Sequence, residues 1–210
     1  MLELEDKGAH NINFVTPTHY APAVKEAVAL AKMCGLSIPI VYNTGGYDTL
    51  DTIRSLSGTV DVYLPDFKFY SAKTAEKCAS APKYPDNIRK IIDEMVSQTG
   101  APILNSDGLL ERGVVVRILL LPTHVAEAKL TVKYLYDTYG DKIYISLMSQ
   151  YTPIPNMPSP LSRRVTRDEY RDLVNYAEKL GVKCAFVQDA SSATEAYVPD
   201  FDGEGVVKSG

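Results

Sequence analysis

Residues 113–122 read Gly-Val-Val-Val-Arg-Ile-Leu-Leu-Leu-Pro. From Val114 to Leu121 the run opens on β-branched residues and is apolar apart from Arg117, the composition of a strand covered on both faces. Such strands belong to parallel sheets flanked by helices. The lone Arg117 is a second signal, since a guanidinium inside a strand needs a carboxylate, a phosphate or several carbonyls to offset its lost hydration.

Working outward, short β-rich runs alternate with amphipathic stretches, the pattern of repeated βα units. Strands are predicted over 10–16, 37–42, 59–64, 114–121, 143–148 and 183–187. Helices are predicted from Pro22 to a stop at Gly35, with Val24, Ala27, Val28 and Ala31 on one face, and over 47–56, 71–81, 85–99 and 125–139. A last helix opens on the Thr166-x-x-Glu169 capping box and stops at Gly181. Residues 101–113 read as a hairpin-like excursion about Asp107-Gly108, and the proline-rich stretch 152–160 as a loop. Leu2 and Leu4 followed by Lys7-Gly8 look like the end of a helix. Six strands with five helical crossovers after a helix end predict an incomplete parallel α/β barrel lacking its first βα unit. It spans residues 1–190, with 191–210 as a Ser-, Gly- and Asp-rich tail. The missing strand would leave an exposed sheet edge at residues 11–15, to be covered by the tail or by another copy.

The 210 residues carry a net charge of -4, with 45% hydrophobic and 23% charged residues, an ordinary globular composition. With a pI near 5.4 and no dense Lys/Arg run, nucleic acid and anionic membrane are poor partners. No apolar run approaches a bilayer span, and the N-terminus lacks a signal-peptide pattern, so a cytoplasmic location is expected. Cys34, Cys78 and Cys184 are odd in number and widely spaced, which fits neither a disulfide framework nor a metal motif and predicts buried structural thiols.

In a parallel barrel, chemistry collects at the C-terminal strand ends. Those ends are Thr16-Pro-Thr-His19, Asn43-Thr-Gly-Gly46, Asp66-Phe-Lys68, Pro122-Thr-His124 and Ser149-Gln-Tyr151. Asp66 is the natural partner of Arg117, and Asp66, Lys68 and Arg117 read either as ligand contacts or as an internal ion-pair network. Asn43 to Gly46 would let backbone approach a ligand closely, or form a tight turn. His10, His19 and His124 with Asp66 could imitate a metal-hydrolase set, though their spacing is not diagnostic. Tyr63, Tyr70, Tyr134, Tyr136 and Tyr144 read as packing residues.

Three runs, Gly8 to His19, Asp61-Val-Tyr-Leu-Pro-Asp-Phe-Lys68 and Gly113 to Pro122, resemble radical S-adenosylmethionine (SAM) proteins of the pyruvate formate-lyase activating enzyme type; Gln150-Tyr151 and Arg163-Arg-Val-Thr166 fit the same pattern. The resemblance implies a parent protein that holds a [4Fe–4S] cluster on a CxxxCxxC loop, binds SAM, generates a 5′-deoxyadenosyl radical and acts on a glycyl-radical-type protein. It places Thr16, Thr18 and His19 where relatives carry a Gly-Gly-Glu run for the methionine amino group. Asn43 and Thr44 match positions near the ribose or methionine end, Asp66 and Lys68 an Asp-x-Lys, and Arg117 an Arg-x-x-x-x-Pro strand, with Gln150 as a further contact. CxxxCxxC is absent from the chain, so no cluster is expected in it, and the chain reads as an inactive fragment whose motif lies upstream. The competing readings are a cluster-free nucleoside- or protein-binding module and the metal-dependent hydrolase.

Overall fold

The structure is a computed structural model, described here over residues 1–187. The tail predicted at 191–210 lies outside the described residues. A five-residue helix α1 (Leu2–Asp6) ends at Lys7 and at Gly8, whose φ of +83° lets the chain turn out of the helix. Then β1 (Ile12–Val15), α2 (Ala21–Met33), β2 (Ile40–Thr44), α3 (Leu50–Ser55), β3 (Val62–Pro65), α4 (Ala72–Ala79) and α5 (Tyr84–Thr99) follow. A two-residue β4 (Ile103–Leu104) folds back antiparallel on the start of β5 (Leu110–Leu119), forming the predicted hairpin. The chain continues through α6 (Val125–Tyr139), β6 (Tyr144–Met148), α7 (Arg167–Leu180) and β7 (Ala185–Val187).

The parallel strands run β1-β2-β3-β5-β6-β7, with β4 attached to β5. β1 and β7 end this path, so the sheet is an open, incomplete α/β barrel. Its outer face carries Ile12, Ile40, Tyr42, Tyr63, Val114, Val116, Ile118, Ile145 and Leu147, all at most 5% exposed beneath the helices. Val24, Val28 and Ala31 of α2 are buried with them, as the one-face pattern of that helix predicts.

Several boundaries differ from the sequence expectations for local reasons. β2 starts at Ile40 rather than Ser37, because Pro39 offers no backbone donor; its carbonyl receives Ile12 N at 2.9 Å. β2 therefore runs on to Thr44, and Asn43 lies on the strand. α5 starts one residue before the predicted Pro85, and Tyr84 and Pro85 form its first turn, where proline costs no hydrogen bond. The capping box of Thr166 and Glu169 is formed as expected. The buried-thiol expectation fails: Cys34, at the end of α2, is exposed, and Cys78 and Cys184 are half-buried.

Candidate functional site

Backbone pairing creates the centre of the site. β3 pairs with β5 at Val62↔Gly113 and Tyr63↔Val114, then parts at Leu64-Pro65, where proline cannot donate to the ladder. The strands meet again in an isolated bridge between Asp66 and Arg117, sealed by Phe67 N donating to Arg117 O at 2.8 Å. Register partners in a parallel pair point to the same face. Asp66 and Arg117 thus project side by side into the concave interior.

There Arg117 Nη2 lies 2.7 Å from Asp66 Oδ1 and donates to Asn43 Oδ1 at 2.6 Å. Lys68 Nζ stands 3.7 Å from Asp66 Oδ2 and 5.5 Å from the centre of the Tyr47 ring. The ion-pair network proposed from sequence is therefore real, and it faces open space rather than a sealed core. Arg117, Asp66 and Lys68 line a cleft of about 400 Å³ together with Thr16, Thr18 and His19 after β1 and Asn43 and Thr44 at the end of β2. Eight of the nine residues singled out by sequence thus share one cavity. Gln150 does not: it follows β6, is exposed, and is not among the lining residues.

Thr16 closes β1 at φ +52°, a conformation β-branched residues rarely adopt. Its N–H donates to Asn43 O at 2.8 Å, which ties the two strand ends together. A 3-10 turn (Thr18–Tyr20) then carries Thr18 and the exposed His19 to the rim.

Behind the wall lies a layer that the sequence reading missed. Asp48, 1% exposed, accepts from the hydroxyls of Thr44 and of Tyr42, the latter at 2.8 Å. Its own carbonyl accepts from Asn87 Nδ2 of α5 at 2.9 Å. Thr44 Oγ1 in turn receives Gly46 N at 3.1 Å, so the loop after β2 is pinned from the outer layer. Burial, reinforced by the Asp48 carboxylate, pushes the Tyr42 hydroxyl well above its ordinary ionisation range. Tyr84 does the same work from α5: its hydroxyl is shared between Asp66 O at 2.5 Å and Gly45 O at 3.2 Å and accepts from Lys68 N at 3.1 Å. Only the alternation of Tyr42 and Thr44 on the outer face of β2 could have flagged this layer, since Tyr84 and Asn87 lie some forty residues on.

The third histidine of the imagined hydrolase set goes elsewhere. His124 occupies the N-cap position of α6, its Nδ1 stands 2.7 Å from Pro122 O rather than on a helix N–H, and it lines a separate small pocket with Phe67 and Glu127. His19, Asp66 and His124 do not converge, and no group of three His, Cys, Asp or Glu suited to a metal occurs among the described residues.

No protein-family model matches the chain. An uncharacterized protein of Methanocaldococcus jannaschii is 29% identical over 175 residues, covering 80% of this chain and 46% of that protein. The chain thus spans about half the length of this curated relative. A domain of pyruvate-formate lyase-activating enzyme from Bacteroides vulgatus superposes with a TM-score of 0.57 at 14% identity, over 85% of this chain and 98% of that domain. A radical SAM methyltransferase from Sphaerobacter thermophilus gives 0.62 at 17% identity, over 89% and 53%. At these identities the likeness establishes the fold alone: the chain is a partial α/β barrel like those of these two structures. Among the described residues no helix is long and apolar enough to cross a membrane.

Proposed function

We propose that this chain is the SAM-binding part of a radical SAM enzyme of the pyruvate formate-lyase activating type. The observation that carries the reading is the convergence of Asn43, Asp66, Lys68 and Arg117 in one cleft at the C-terminal ends of the strands, on a fold shared with radical SAM enzymes. The cleft suits a zwitterionic ligand. Lys68 and Arg117 outnumber Asp66, which favours a carboxylate, while Asp66 and the Asn43 amide can accept from an amino or hydroxyl group. Gly45 presents bare backbone, since a Cβ there would stand 3.2 Å from Lys68 Nζ. Thr16, Thr18 and His19 supply the remaining polar rim.

In this reading SAM, when bound, supplies the radical that abstracts hydrogen on one-electron reduction. This chain's residues hold and orient it: Arg117 and Lys68 neutralise its carboxylate, and Asp66 keeps both cations in place. The described residues do not fit a [4Fe–4S] cluster, because Cys34, Cys78 and Cys184 sit at the end of α2, on α4 and before β7 and form no convergent set. The cluster and a glycyl-radical-type protein substrate belong to the proposed whole enzyme.

Calorimetric titration of the 210-residue protein with SAM tests this directly. Binding is expected, with Arg117→Ala weakening it about tenfold or more through loss of a charge-assisted contact. No binding at millimolar SAM, or equal binding by Arg117→Ala and wild type, would remove the reading.

A further inference from the structure

The cleft occupies only the upper half of the concave face. Toward the N-terminal ends of the strands lies a second cavity of about 330 Å³, floored by Val41, Val62, Leu64 and Val115, with Asn13 on one side and Phe186 on the other. In a closed barrel of few strands, side chains fill the interior. Among the described residues the sheet stops at β1 and β7, and its inward residues leave this space between them. Asn13 is exposed on the edge strand, and Phe186, half exposed, is held by stacking on Tyr144 with ring centres 5.0 Å apart.

Arg117 roofs this cavity and also lines the cleft above it. Its Nη2 is committed to Asp66 and Asn43, while Nε is buried without an acceptor among the described residues. A buried charged donor left unpaired is unfavourable, and an oxygen acceptor relieves it. The floor is apolar, His10, Asn11, Asn13 and Ser146 join Arg117 as polar lining, and the volume lies within the usual range for ligand pockets, which together describe a small-molecule site.

We propose that the lower cavity is a second ligand site, taking a small molecule with an apolar or aromatic body and one anionic oxygen. The body lies on Val41, Val62, Leu64 and Val115 beside Phe186, and the oxygen accepts from Arg117. The surplus of positive charge in the Lys68, Asp66, Arg117 group favours an anion over a neutral carbonyl. The two cavities share one guanidinium, so a ligand below fixes the side chain that organises the cleft above. This site does not depend on the cleft's proposed ligand.

The test is methyl NMR on the 210-residue protein with 4-phenylbutyrate as the probe and 4-phenylbutanol as its uncharged match. Saturable shifts are expected at Val41, Val62, Leu64 and Val115, but not at Ile88 or Leu135 in the outer layer, with the alcohol binding about tenfold more weakly. Asn13→Trp plugs the cavity from the exposed edge strand and should abolish the shifts while the outer-layer methyl spectrum is preserved; Leu64→Phe is the second plug if that variant fails to fold. Absence of shifts, shifts spread over surface methyls such as Leu30 and Leu130, or unchanged binding in a folded plugged variant overturns the site. Equal binding of acid and alcohol overturns the Arg117 assignment. Adding SAM in the same experiment separates the two readings: if SAM leaves the cleft unperturbed while 4-phenylbutyrate fills the cavity, only the SAM reading falls.

Discussion

Gly46 turns at φ +79°, and a Cβ on it would stand 2.6 Å from Ile88 Cδ1 and 2.8 Å from both Asp66 O and Tyr84 Oη. Backbone strain and close packing combine here, and Gly46→Ala should cost about 2–3 kcal/mol, read as a lowered urea midpoint. Gly45 has only the flexible end of Lys68 in reach, so Gly45→Ala should affect the cleft more than stability. The Asp66 and Arg117 pair, each 23% exposed, is shielded enough for its members to depend on one another. Asp66→Asn and Arg117→Gln, singly and together, should give a coupling of about 1–2 kcal/mol in a urea-unfolding cycle. Additive losses would show that solvent screens the pair.

At the scale of elements, one carboxylate gathers three parts of the chain. Glu169 caps α7, receives both Nη groups of Arg163 at 2.8 Å, and accepts Thr166 N and Thr123 N at 2.8 Å each. The Arg163 guanidinium, helped by these backbone donors against partial burial, holds its carboxyl well below the usual carboxylate range. A group depressed in the folded state stabilises above its unfolded value and loses that contribution as pH falls through the folded one. Glu169→Gln should therefore be less stable than wild type at neutral pH by about 1 kcal/mol, a modest figure because Arg163 is 42% exposed. The gap should hold down to about pH 4.3, the ordinary glutamate value, and close progressively below it. Thermal melts of both proteins across the acid range measure this; a gap that does not depend on pH would mean that the clamp acts by shape rather than charge.

At the scale of the whole molecule, the open barrel leaves β1 at one end of the sheet with Val15 66% exposed, and β7 at the other with Phe186 and Val187 each 50% exposed. A strand edge without a partner among the described residues, beside apolar side chains, invites pairing. We expect the purified chain to self-associate with rising concentration in sedimentation velocity, and Val15→Lys to shift it toward monomer. A wild type that stays monomeric over the whole concentration range would show that this edge is closed.

The sequence by itself determined the alternation of strands and helices, the parallel class of the sheet and the strand ends where polar groups gather. These are local properties: β-branched runs, helix caps, glycine stops and prolines act within a few residues of themselves. The tertiary structure alone decided which strand-end groups share a cleft and which do not. Asp66 meets Arg117 because β3 and β5, parted at Leu64-Pro65, resume the same register just beyond it, a pairing across fifty residues that no local pattern encodes. The same holds for the outer layer of Asp48, Tyr42, Tyr84 and Asn87, assembled from β2, the loop after it and α5. It also holds for Gln150 and His124, which stand at strand ends in the sequence yet do not line the cleft. Proximity across forty or more residues is set by how the helices pack the sheet, and the cleft with the cavity beneath it exists only once that packing is complete.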